Sequence, residues 1–89
     1  MPRISYFYGI AIYMYFDDHN PPHFHAHYGR AKALIAIETG EILAGALPNT
    51  AARLVREWAL ARQAELRENW ARAQAEGGLE RIPGPDGAG

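Results

Sequence analysis

Ile10-Ala-Ile-Tyr-Met-Tyr-Phe-Asp-Asp-His-Asn-Pro-Pro-His-Phe-His-Ala-His-Tyr28 decides the fold. Its two arms carry the two-residue period of β-strands, and its middle reads as a turn. In the first arm Ile10, Ile12, Met14 and Phe16 share one face, while Ala11, Tyr13 and Tyr15 share the other. Both faces are apolar or aromatic, the pattern of a strand whose two sides are covered. Asp17–Pro22 holds two aspartates, an asparagine and two prolines, a strong turn signal. The second arm alternates again. Phe24, Ala26 and Tyr28 fall on one side, with Phe24 and Tyr28 directed at the core, and His23, His25 and His27 line up on the opposite face.

Upstream, the strand pattern extends back to Tyr6. Downstream, Lys32–Glu38 and Glu41–Ala46 flank Thr39-Gly40, which reads as a β-hairpin with a two-residue turn. Ala44, Gly45 and Ala46 are small enough to admit close approach to the last strand. At Pro48-Asn49 the period changes. Proline suits a first helical turn and Asn49 can cap it. From there Leu54, Val55, Trp58, Leu66, Trp70 and Ala73 recur at helical spacing, with Arg and Glu filling the remaining surface. An apolar stripe on such a helix must cover something, and the sheet is the partner available.

The expected fold is therefore α+β. An antiparallel four-stranded sheet, with strands at about 6–16, 23–29, 32–38 and 41–46, packs against a C-terminal amphipathic helix over about 49–76. One long helix is expected, with a break near residue 62 as the alternative. Gly77-Gly78 ends the helix. Residues 1–76 form one domain in this reading, and 77–89, rich in Gly and Pro, a flexible tail.

The 89-residue length suits one domain rather than two. The chain has no cysteine, so thiolate metal sites and disulfides are out of reach. A net charge of −1 gives no overall basic excess of the kind most nucleic-acid binders carry. No apolar run is long enough to span a membrane, and the run 6–16 leads into Asp17-Asp18 rather than a small-residue cleavage site. A cytoplasmic protein with no membrane partner is expected.

The chemistry-bearing cluster is the second arm and the turn before it. His19, His23, His25 and His27 are all the histidines of the chain, and Asp17 and Asp18 stand beside them. Two imidazoles two positions apart on a strand point the same way, about 6.5–7 Å apart at the backbone, close enough to share an ion. His23 and His25, joined by His19 or Asp18 from the loop, would make a three-ligand site for a divalent metal such as Zn, with a position left for water. Arg30 and Lys32 would then hold phosphate or contact a partner. The same residues also suit a solvated strand face or a pH-sensitive patch. Tyr6, Tyr8, Tyr13 and Tyr15 offer a second pattern, a face on which bases could stack.

Several blocks together resemble one family. These are Ile10–Phe16, Asp18-His-Asn-Pro-Pro-His-Phe-His-Ala26, Thr39-Gly-Glu41, Leu54-Val-Arg-Glu-Trp58 and Glu68-Asn-Trp70. They look like the small bacterial domain-of-unknown-function family numbered 4160. The resemblance spans about residues 1–75, and Asn20-Pro-Pro-His-Phe-His25 is its most specific phrase. His19, His23 and His25 sit in the recurrent phrase, whereas His27 falls where the family commonly has another residue type.

The resemblance implies a protein partner, since members are often encoded beside a second family numbered 2442 in predicted toxin–antitoxin modules. The expectation is a small component of such a module, acting through protein contact, with self-association and nucleic-acid binding as further modes. The alternative is a metal-dependent hydrolase acting on RNA or nucleotides through His19, His23 and His25.

Overall fold

The computed structural model describes residues 2–16 and 19–86. Five strands come first: β1 (Arg3–Phe7), β2 (Ile10–Tyr13), β3 (His23–Tyr28), β4 (Ala31–Ala36) and β5 (Ile42–Gly45). Two helices follow, α1 (Asn49–Ala61) and α2 (Gln63–Gln74). The strands form one antiparallel sheet in chain order, β1-β2-β3-β4-β5. The α+β class and the antiparallel sheet match the sequence reading. The strand count and the single helix do not.

The stretch expected as one strand over 6–16 is a hairpin. Phe7 pairs with Ile10 across Tyr8-Gly9, whose φ values are 51° and 79°. Positive φ at both central residues is the geometry of the type I′ turn, whose twist matches that of the flanking strands. Gly9 takes this conformation at no steric cost, but Tyr8 does not. That is why the sequence hides the turn. A bulge at Ile4 then offsets β1, so that Ser5 and not Ile4 faces Ile12 across the ladder. Ile4 and Ser5 are both buried as a result.

β3 and β4 pair from His23↔Ala36 to Tyr28↔Ala31 around Gly29-Arg30. The next turn is longer than the expected Thr39-Gly40. Ile37 leaves the strand, is fully buried, and donates its N–H to the Pro22 carbonyl at 3.1 Å. The loop closes through Gly40 N–H to Ala36 O at 2.8 Å and Ala36 N–H to Glu41 O at 2.9 Å. β5 is offset by a second bulge at Leu43, where Leu34 faces Ala44 but Ile35 faces Ile42.

One face of the sheet is the core face. Phe7, Ile10, Ile12, Phe24, Ala26, Ala33 and Ile35 point from it into a single buried cluster with Val55, Trp58, Leu66 and Ala73 of the helices. Trp58 joins the two layers, its ring centroid 5.0 Å from Phe7 and 5.7 Å from Phe24. Each fully buried side chain of this size contributes about 1.5–3 kcal/mol of transfer free energy.

The helical segment breaks at Arg62, whose φ of −116° lies outside the helical region. The segment 61–63 contains no proline or glycine to cause the bend. Its cause is tertiary. Gln63 donates from Nε2 to the carbonyls of Ile37 and Glu38, at 3.1 and 2.7 Å. Arg67 grips the Glu38 carboxylate with two bonds of 2.8 and 2.6 Å. These contacts hold the start of α2 on the 37–41 loop. At the other end of the segment, Pro48 occupies the capping position with no side-chain cap bond, so Asn49 opens α1 without capping it. α2 ends in a Schellman arrangement: Gly77 N–H donates to Arg72 O at 2.7 Å and Glu76 N–H to Ala73 O at 3.2 Å. The left-handed residue is Glu76, with φ 56°, and not either glycine.

Residues 79–84, expected within a loose tail, instead return across the sheet to β1. Ile82 is 1% exposed; its N–H donates to Ile4 O at 2.8 Å, and its carbonyl accepts from Ser5 Oγ at 2.7 Å. The Trp58 indole N–H donates to Pro83 O at 2.8 Å. Asn69, itself buried, clasps Glu80 by donating to its carbonyl at 2.8 Å and accepting its N–H at 2.9 Å. Gly/Pro-rich composition signals the absence of helix and strand, but buried side chains still found partners for this backbone. No helix among the described residues is long and apolar enough to cross a membrane.

Candidate binding face of the sheet

The strand period places the histidines on the face away from the core. In β3, Phe24 and Ala26 are fully buried, while His25 and His27 are half-buried on the opposite side. Strand pairing arranges this face in rows. One row runs Tyr6, Ala11, His27, Lys32 from β1 to β4. The next runs Arg3, Tyr13, His25, Leu34, Ala44 from β1 to β5.

The rings on this face touch one another. Tyr13 leans on His27, with centroids 4.8 Å apart and planes at 46°. Tyr15 meets His25 edge-on at 4.2 Å. His23 and His25 lie 5.2 Å apart. Arg3 places its guanidinium 5.1 Å from the Tyr6 ring centroid, within range of a cation–π contact.

His23 differs from its neighbours. It is only 5% exposed and packs against Trp70 of α2 at 5.4 Å. Its Nδ1 lies 2.9 Å from the Pro21 carbonyl oxygen. A carbonyl only accepts, so this bond puts a proton on Nδ1 and leaves Nε2 as the lone-pair nitrogen of the neutral ring. The peptide bond before Pro21 is cis. His19 lies in the irregular, exposed segment ahead of β3.

The candidate metal set does not assemble within the described residues. His23 and His25 are brought together, but no group of three His, Asp or Glu among the described residues is placed to hold an ion. Asp18, and Asp17 with it, lies outside the described residues. Arg30 stands exposed at the β3–β4 turn, and Lys32 stands exposed directly across from His27.

Among the described strands the charge is of one sign. None of the five strands contains an aspartate or glutamate, whereas the face and its adjoining turn carry Arg3, Arg30 and Lys32. Partial burial lowers the His27 pKa from its ordinary value, and the nearby charges of Lys32 and His25 lower it further. The helical layer and the returning segment carry both signs, with Glu57, Glu65, Glu68 and Glu80 set among Arg53, Arg56, Arg62, Arg67, Arg72 and Arg81. On that side Glu38 is held below the usual carboxylate range by its hydrogen bonds from Arg67.

Two contributors went unread in the sequence. Arg3 reaches the face only through the β1–β2 hairpin, which the Tyr8-Gly9 turn conceals. Trp70 reaches His23 only because α2 is bent onto the end of the sheet. Tyr6 and Tyr13 share the open face through the same concealed hairpin: on one continuous strand their odd spacing would put them on opposite sides, and Tyr8 lies in the turn.

No curated protein and no solved structure gives a significant match to this chain. A family model described as Domain of unknown function (DUF4160) matches residues 9–71, which take in the turn phrase, the histidine strand, the β4–β5 hairpin and most of the helical segment, and the chain belongs to that family.

Proposed function

We propose that this protein is a binding module, one member of a two-protein toxin–antitoxin pair, and that its partner adds a strand to β5. The partner expected is a protein of the family numbered 2442. The observation that carries this reading is the state of β5. It ends the sheet, and all four of its residues are exposed. Ile42 and Leu43 remain 38% and 48% exposed. An edge strand offers a row of backbone donors and acceptors to an incoming chain, and flanking apolar side chains give the added strand its register. Metal-assisted hydrolysis by His19, His23 and His25 lacks a three-donor group among the described residues, and binding is the reading we adopt.

Co-expression with the product of the adjacent gene tests the proposal. A complex is expected to survive size-exclusion chromatography and to be lost in Leu43→Lys, with the unfolding midpoint of the isolated variant unchanged. A dimer of the isolated protein that Leu43→Lys dissolves would assign the edge to a second copy instead. A complex indifferent to substitutions along β5 would defeat the edge-docking reading.

A further inference from the structure

We infer that the open face of the sheet is a platform for single-stranded nucleic acid, with bases stacking on Tyr6, Tyr13 and His27 and phosphates meeting Arg3, Arg30 and Lys32. The face is separate from the β5 edge and does not depend on the partner proposed there.

Three observations carry the inference. The first is shape. In the row Tyr6, Ala11, His27, Lys32, the middle of the face holds only the alanine methyl group. Tyr6 on β1 and His27 on β3 are two strand spacings apart, about 9.5 Å. A flat base can enter over Ala11, with an aromatic ring on either side. Tyr13, from the neighbouring row, already lies against His27 at 4.8 Å and extends that wall. Tyr6 is 45% exposed, so its ring is open to a ligand.

The second is charge. A net charge of −1 argues against a polyanion ligand only if the charges are evenly spread. They are not. The strands hold no carboxylate, while the basic residues sit at three separate places around the ring cluster: Arg3 on β1, Lys32 on β4 and Arg30 at the turn. Lys32 stands directly across from His27. The helical layer carries both signs interleaved, with Arg53–Glu57, Arg62–Glu65 and Arg72–Glu68 paired on its surface, whereas the basic residues of the strands have no carboxylate on the strands beside them.

The third is the type of polar group. The face offers rings and cations and few fixed donor–acceptor pairs, which suits sequence-tolerant stacking and not the reading of base edges. A duplex hides its base faces, so a platform of this kind discriminates in favour of unpaired strands.

The test is fluorescence anisotropy with labelled oligo-U and oligo-dU of about twelve nucleotides, the span of a small single-strand site. Saturable binding of at least one probe is expected, weakening with salt at a log–log slope of about −2 for three phosphate contacts on a single strand. Tyr6→Ala should weaken it by about five- to one-hundred-fold, the range for loss of one base stack. Lys32→Ala should flatten the salt slope, while Glu57→Gln on the helical face leaves binding unchanged. Both Tyr6 and Lys32 are exposed, so their variants keep the fold, and circular dichroism checks it. A preference between the two probes would identify the sugar recognised. The inference is overturned by the absence of saturable binding to either probe at low salt, by affinity indifferent to Tyr6→Ala and Lys32→Ala, or by equal affinity for a duplex of the same length.

Discussion

At β1 the chain comes back to finish its own sheet; at β5 it does not. Ile82 bonds to Ile4 and Ser5, and Trp58 and Asn69 hold the backbone on either side of it. At β5 no returning segment is present among the described residues, and protection is local. The bulge at Leu43 interrupts the ladder, and Gly45 adopts φ 78°. Both devices bend an edge away from the flat geometry that indiscriminate pairing needs. The difference teaches that the molecule closes one edge with buried hydrogen bonds and leaves the other merely discouraging. Regulated pairing belongs at the second.

The comparison breaks most completely if the returning segment is removed. A chain ending at Gly78 loses the buried Ile82 side chain, worth about 3 kcal/mol on the scale of large-to-small core changes. It also leaves the Ser5 hydroxyl, the Trp58 indole N–H and the Asn69 amide without the carbonyls they now reach, at about 1–3 kcal/mol for each group that stays buried. A domain of this size has about 5–15 kcal/mol in all. Loss of a cooperative thermal transition is expected, measured by circular dichroism. A truncated chain that melts within a few degrees of the full one would show that the segment is only an ornament.

The opposite edge should be sensitive at one point. A Cβ at Gly45 would be driven into the Lys32 carbonyl and sit 3.0 Å from Ala33 Cα, and the φ of 78° disfavours a branched side chain independently. Gly45→Val should cost about 3–4 kcal/mol in urea unfolding, by stripping β5 from β4. Next in size is the clasp at the β1 end. Asn69→Ala leaves the N–H and C=O of Glu80 without their side-chain partners and should cost about 2 kcal/mol. Asn69→Asp keeps the acceptor for Glu80 N–H but loses the donor, so an intermediate value would separate the two bonds.

These two edges also mark what the sequence could say. Strand β3 was legible because His23–Tyr28 alternates cleanly. The histidine face followed from the same period. The β1–β2 hairpin was not, because its turn spends a tyrosine on a left-handed conformation that glycine or asparagine usually takes. The bend at Arg62 has no local cause, only Gln63 and Arg67 reaching the 37–41 loop. The returning segment was hidden for the same reason. Its partners, Ser5, Trp58 and Asn69, come from three distant parts of the chain and share no sequence signal. Whether histidines share a face is a question of period and can be read; whether three donors meet at a point is a question of loop geometry and cannot.

The helix end that aims the chain back toward β1 offers a gain in stability. Glu76 holds the left-handed position of the Schellman turn, where a Cβ is unfavourable and glycine is the usual choice. Glu76→Gly should raise stability by about 0.5 kcal/mol, the strain relieved less the added freedom of the unfolded chain. A loss instead would mean that the Glu76 side chain matters more to the returning segment than its backbone strain.

The smallest effect lies on the face between the edges and is carried by pH. His27 titrates below its ordinary value in the folded state, because burial and then Lys32 and His25 disfavour its charged form. The unfolded chain therefore binds more protons as pH falls through the ordinary imidazole range near about 6.5, and stability declines on acidification through that window. Above it, His27 contributes no slope. Glu38 acts lower. Its folded pKa is depressed by Arg67, so its contribution is present above the ordinary carboxylate value of about 4.3 and is lost as pH drops through the depressed one. Urea midpoints measured from pH 8 to pH 3 should show both limbs. His27→Gln should flatten the upper limb alone and Glu38→Gln the lower alone. Because neither residue touches the returning segment, the upper limb should persist in Asn69→Ala. An upper limb that vanished there would place its origin at the β1 edge rather than on the open face.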